Sequence, residues 1–187
     1  MKALIAVGNS LGAASEIAEE IAKILRQASF KTDIIYARER KIEDISNYEL
    51  VVLGSEVHMD KWVSEVEEFL KDFREDLAHR KVAIFVSSAL VPLDITQGKK
   101  EDVDRAEEKY LTQKAAAYSL KPIATAIFGG ILDFNKMGFF ARRALGWAKA
   151  SLEEAGYKEK KPGVYDTRNW KEIKEWTRKL VLKARYL

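Results

Sequence analysis

Gly8-Asn9-Ser10-Leu11-Gly12-Ala13-Ala14 is the segment best equipped for chemistry, because it separates an apolar run, residues 3–7, from an amphipathic pattern carrying Ile17, Ile21, Ile24 and Leu25. A strand, a tight turn and a helix start in that order aim free backbone N–H groups and the positive end of the helix dipole at one point. A phosphate dianion needs that arrangement. The spacing narrows the choice. No Lys follows a Gly in the loop, so it is not the nucleoside-triphosphate loop GxxxxGK[ST], and with no third glycine after Gly8 and Gly12 it is not GxGxxG. What remains is a short neutral cradle for one terminal phosphate. The plain structural alternative is a strand-to-helix turn capped by Ser10 or Ser15.

Two further loops carry groups that could border a flat ligand. Residues 54–62 place Ser55, Val57, His58, Met59 and Trp62 just before a helical pattern, and aromatic side chains stack on heterocycles for about 0.5–1.5 kcal/mol beyond area burial. Trp62 has a competing reading as core packing, and His58 as an exposed loop residue. Residues 87–91 contribute Ser87, Ser88 and Ala89, small enough for a ligand edge to approach the backbone.

The elements that must position these loops follow from the apolar pattern. Runs at 3–7, 32–36, 50–53, 82–86 and 123–128 read as five buried strands, separated by helical patterns such as Val63, Val66, Phe69, Leu70 and Phe73. Strands alternating with helices predict an α/β fold, a parallel sheet covered on both faces, with ligands at the carboxyl ends of the strands. Trp170, Ile173, Trp176, Leu180 and Val181 predict a closing helix over 169–187. A length of 187 residues with 47% hydrophobic composition fits one domain, 1–187. Lys plus Arg number 32 against 29 Asp plus Glu, a net +3 that gives no field of the kind nucleic acid demands. Cysteine is absent, no metal-ligating set stands out, and no apolar run approaches the ~20 residues of a membrane span, so a cytoplasmic protein is expected.

The chain resembles the flavodoxin-like domain family, and more narrowly the branch containing the menaquinone-dependent protoporphyrinogen oxidases. The resemblance rests on the opening strand with Gly12 and Ile17-Ala18, on Val51-Val52-Leu53-Gly54, on Phe128-Gly129-Gly130-Ile131-Leu132-Asp133, and on Asp166, Arg168, Trp170, Ile173 and Trp176 in an Asp-x-Arg-x-Trp-x-x-Ile-x-x-Trp ending. It implies a flavodoxin-like three-layer sandwich with a five-stranded parallel sheet in the order 2-1-3-4-5. It also implies FMN at the carboxyl edge, and oxidation of a tetrapyrrole precursor with a quinone as acceptor. The FMN-binding residues it implies are Gly8, Asn9, Ser10, Leu11, Gly12, Ala13 and Ala14 on the phosphate, with Ser55, Val57, His58, Trp62, Ser87, Ser88 and Ala89 around the ring. Catalytic residues stay unassigned. The chain departs from the family in having Ala14 where a Thr follows Gly12; one lost hydrogen bond to a charged group costs about 1.5–3 kcal/mol.

The remaining features read as follows. Asp166 is expected to cap the closing helix, and Trp170 and Trp176 to pack. Residues 136–149 form a candidate basic amphipathic helix that could meet an anionic membrane surface, where a quinone is available, or pack on the sheet or on a second copy in a homo-oligomer. Three functions are therefore expected to compete: an FMN oxidoreductase, an FMN electron carrier serving a redox partner protein, and a cofactor-free binding module.

Overall fold

The computed structural model describes residues 1–39, 42–58 and 60–187. It begins with β1 (Lys2–Val7), α1 (Ala13–Gln27) and β2 (Lys31–Tyr36), which lies parallel to β1. β3 (Leu50–His58) pairs with the other side of β1, then doubles back as the two-residue antiparallel β4 (Lys61–Trp62). α2 (Ser64–Asp72), α3 (Arg74–Ala78) and β5 (Lys81–Ser87) follow, then α4 (Val91–Thr96), α5 (Lys100–Glu107), a π-helical turn at Glu108–Thr112, α6 (Gln113–Ala117) and β6 (Ala124–Phe128). The long strands stand in the order β2-β1-β3-β5-β6, all parallel. With β4 set aside, this is the expected 2-1-3-4-5 sheet, and its order reverses between β1 and β3.

Period-two alternation explains the two cores. Ala3, Ile5 and Val7 of β1 face α1 together with Leu50, Val52 and Phe85, while Leu4 and Ala6 face α2 with Val51, Leu53 and Ile84. Burial on both sides accounts for the unbroken apolar runs.

The chain after β6 differs from the sequence expectation. β7 (Ile131–Asp133), α7 (Phe139–Ala144), α8 (Gly146–Glu154), β8 (Glu159–Lys161) and β9 (Val164–Asp166) form an appendage whose three strands pair antiparallel in the order β7-β9-β8. It has its own small core of Leu93, Leu132, Phe134, Ala148, Leu152 and Tyr165. Strands of three residues are too short for an alternation signal, so this sheet was not expected. The single amphipathic helix over 136–149 is corrected to α7 and the start of α8, broken at Leu145, where φ −100° and ψ 9° leave helical geometry.

α9 (Trp170–Tyr186) closes the structure, packing Ile173, Leu180 and Val181 into the α1-side core. Its cap corrects the expectation for Asp166. Asn169 Oδ1 accepts from Lys171 N–H at 3.2 Å and Glu172 N–H at 3.3 Å. Asp166 instead accepts from Arg168 Nε at 2.9 Å and Nη2 at 2.7 Å, and Arg168 Nη1 reaches Glu16 on α1 at 2.8 Å. The pair is a buried clasp joining the appendage to the first turn of α1.

Candidate functional site

The register of the sheet brings the three candidate loops to one edge. Val7 lies beside Gly54 and Gly54 beside Phe85, while two residues further on Glu56 lies beside Ser87. The close approach at Gly54 demands glycine, since a Cβ there would overlap the Phe85 ring and lie 2.8 Å from Val7 Cγ1. The loop 8–14 turns from the end of β1 into α1 through Gly12, whose φ of 111° disfavours any other residue.

The donors of Ser10 and Leu11 are engaged by the chain's own acceptors. Leu11 N–H donates to Asn9 Oδ1 at 2.8 Å, and Ser10 donates to Glu39 Oε1 from its N–H at 3.1 Å and from its hydroxyl. Neither Ser10 nor Ser15 caps α1; the Ser15 hydroxyl donates to Gly12 O at 2.9 Å. The first turn of α1 receives Glu56 instead. Its Oε1 accepts from Ala14 N–H at 3.4 Å and lies so close to Gly12 that a Cβ there would collide with it. His58 Nε2 lies 2.8 Å from the other carboxylate oxygen. Burial pushes the Glu56 carboxyl up, but the hydrogen bonds from His58 and from Ala14 and Ala13 outweigh it and hold the group below its ordinary value. His58 is raised in turn by its bond to Glu56.

Alternation explains why Glu56 is there. β3 runs past Leu53 to His58, correcting the expected loop at 54–62, and Gly54, Glu56 and His58 therefore share the face that looks onto α1. Sequence reasoning missed Glu56 and Glu39. The signal for Glu56 was its two-residue spacing from Gly54 and His58, legible only once the strand is extended.

The other candidates divide. His58 is exposed, while Ser88, Ala89 and Val57 are half-buried, Val57 packing against the α2-side core and Ala89 against the small core of the appendage. Ser55 is buried, its hydroxyl donating to Glu56 O at 2.9 Å and accepting from Val63 N–H at 3.1 Å. The Ser87 hydroxyl donates to Gly129 O at 3.1 Å. Both hydroxyls thus join elements beneath the edge. Trp62 is corrected to a core residue. The turn from β3 into β4 carries it back over the α2-side core, where it is 5% exposed and its Nε1–H donates to Tyr110 O at 3.1 Å. Met59 lies outside the described residues.

A model of the flavodoxin domain matches residues 4–156, well over half of the 187. The chain belongs to the flavodoxin-domain family. Among solved structures, a flavodoxin from the domain Archaea aligns over 100% of both chains at 13% identity and a TM-score of 0.57. A Streptococcus pneumonia TIGR4 flavodoxin covers 99% of this chain and 98% of its own at 12% identity and a TM-score of 0.58. The rubredoxin oxygen:oxidoreductase of Desulfovibrio gigas aligns over 100% of this chain but only 37% of its own, at 12% identity and a TM-score of 0.53. These similarities establish the fold. No curated protein sequence matches.

Membership of the flavodoxin-domain family implies FMN as cofactor, and the donor set fits its phosphate. Backbone N–H groups at the start of a helix of 15 residues already hold a carboxylate, and a carboxylate and a phosphate oxygen ask for the same donors. Among the described residues no helix is long and apolar enough to cross a membrane, and no group of His, Asp and Glu is placed to hold a metal ion.

Proposed function

We propose that this chain, acting as one domain over its 187 residues, is an FMN-binding electron-transfer protein. The observation that supports this reading is the carboxylate held by Ala14 N–H in the first turn of α1, at the point where the strand order of a flavodoxin fold reverses. Ala13 and Ala14 N–H, with Asn9 and Ser10 beside them, would hold the phosphate, and Val57, His58, Ser88 and Ala89 would border the ring. FMN when bound supplies the electron chemistry, and the protein supplies position and electrostatics. The half-buried Ser88 and Ala89 would shield the ring from water, and the exposed His58 would leave a way in for a redox partner protein. The test is direct. FMN is added to purified protein and the visible spectrum and flavin fluorescence are recorded; absence of binding at high micromolar FMN removes the reading and leaves a cofactor-free binding module.

A second reading, an oxidoreductase similar to the protoporphyrinogen oxidases and passing electrons to a quinone, is favoured by one surface. Phe139, Phe140 and Trp147 are 74%, 84% and 49% exposed on α7 and α8, next to Arg143. Exposed aromatics beside a cation suit the interface of an anionic membrane. Turnover of protoporphyrinogen with a quinone by the flavin-loaded protein supports this reading, and reduction by a quinol without turnover favours the carrier.

A further inference from the structure

Glu56 sits at the first turn of α1, where free backbone N–H groups favour a negative charge, and we propose that it acts as a tethered competitor for the cofactor phosphate. The phosphate enters as Glu56 swings out, so the affinity for a phosphate-bearing flavin is lower than the backbone cradle alone would allow. This rests on the FMN reading above.

Three observations carry the inference. First, Glu56 Oε1 takes the N–H of Ala14 and lies against Gly12 at the start of α1, so a phosphate oxygen cannot use this donor or this space while the carboxylate is in place. Second, the carboxylate is held in its ionised form, and by groups it can leave. Its side chain is 20% exposed, and its partner His58 is 65% exposed, so both have a route into solvent. Third, the rest of the loop repeats the arrangement. Ser10 gives its N–H and hydroxyl to Glu39, so two carboxylates from different elements converge on a loop that carries no Lys or Arg of its own. A phosphate dianion meets both competition for donors and repulsion from like charge.

The competition acts on the phosphate alone, which separates it from any general effect on the ring site. Wild type, Glu56→Ala and Glu56→Gln are titrated with FMN and with riboflavin, following flavin fluorescence, and their thermal unfolding is measured with and without inorganic phosphate. Glu56→Ala is expected to bind FMN about 10- to 100-fold more tightly, the worth of one charge-assisted hydrogen bond, with riboflavin affinity unchanged. Inorganic phosphate is expected to raise its unfolding midpoint more than that of wild type. Glu56→Gln keeps the size of the side chain and removes the charge, so it gains in the same direction by a smaller factor, and it carries the test if Glu56→Ala does not fold. The proposal is overturned if neither variant gains affinity for FMN or phosphate, or if riboflavin tightens as much as FMN. If no flavin binds any of the three proteins while phosphate selectively stabilises the variants, the competitor stands and the FMN reading falls.

Discussion

Arg168→Met tests whether the Asp166 and Arg168 motif holds the fold together or serves the ligand. The Arg168 and Asp166 side chains are 2% and 5% exposed, and the substitution removes two hydrogen bonds to Asp166, at 2.9 and 2.7 Å, and one to Glu16, at 2.8 Å. Among the described residues the Asp166 carboxylate then keeps Lys160 and the Arg168 backbone N–H. Breaking one side of a buried ion pair costs about 3–5 kcal/mol, and the surviving Lys160 contact places this case near 3 kcal/mol. For a chain of this length that lowers the unfolding midpoint by about 6–12 °C. Removing both partners in Asp166→Asn/Arg168→Met leaves no stranded carboxylate, so the double variant should lose less than the sum of the single losses. The assay is thermal and urea unfolding of the cofactor-free protein by circular dichroism, with FMN affinity measured beside it. An unchanged midpoint together with lost flavin binding would refute the clasp and make Arg168 a ligand residue. Additive losses in the cycle would refute the coupling.

Three other outcomes are expected. Burial pushes Asp166 up, but its bonds to Arg168 and Lys160 prevail and bring it down to about 2 from 3.8, so the stability it contributes is complete above about pH 4 and lost as pH falls through 2; the acid limb of a stability profile should flatten over that window in Arg168→Met. Trp62→Phe removes the Nε1–H bond to the Tyr110 carbonyl and should cost about 0.5–1.5 kcal/mol by denaturant unfolding while leaving flavin affinity unchanged, whereas a loss of flavin affinity would return Trp62 to the ring site. Phe139→Ser/Phe140→Ser removes exposed side chains, so stability should stay within about 0.5 kcal/mol per substitution while sedimentation with anionic vesicles falls; wild type that does not sediment would end the membrane reading.

Much of the frame was legible in the chain itself. Unbroken apolar runs at 3–7, 50–53 and 82–86 marked strands buried on both faces, because only a sheet covered on both sides lets every residue be apolar. The site was half legible. Gly12 before an amphipathic helix marked the anion seat, since positive φ and free N–H groups are properties of a few consecutive residues. Trp62 was misread because its fate depends on how far β3 runs before turning, and the polar residues Ser55, Glu56 and His58 disguise a strand as a loop.

The sequence by itself thus determined the five strands of the parallel sheet, where the helix over the cradle begins, and that the cradle carries no cation of its own. These follow from local periodicity and local backbone preference. Only the tertiary structure decided what fills the cradle. Glu56 is 42 residues from Ala14 along the chain and reaches it because the parallel pairing of β1 with β3 sets the two segments side by side. Arg168 meets Glu16 across 152 residues for the same kind of reason. Such contacts depend on register between distant strands and helices, and the single chain carries no local signal of that register.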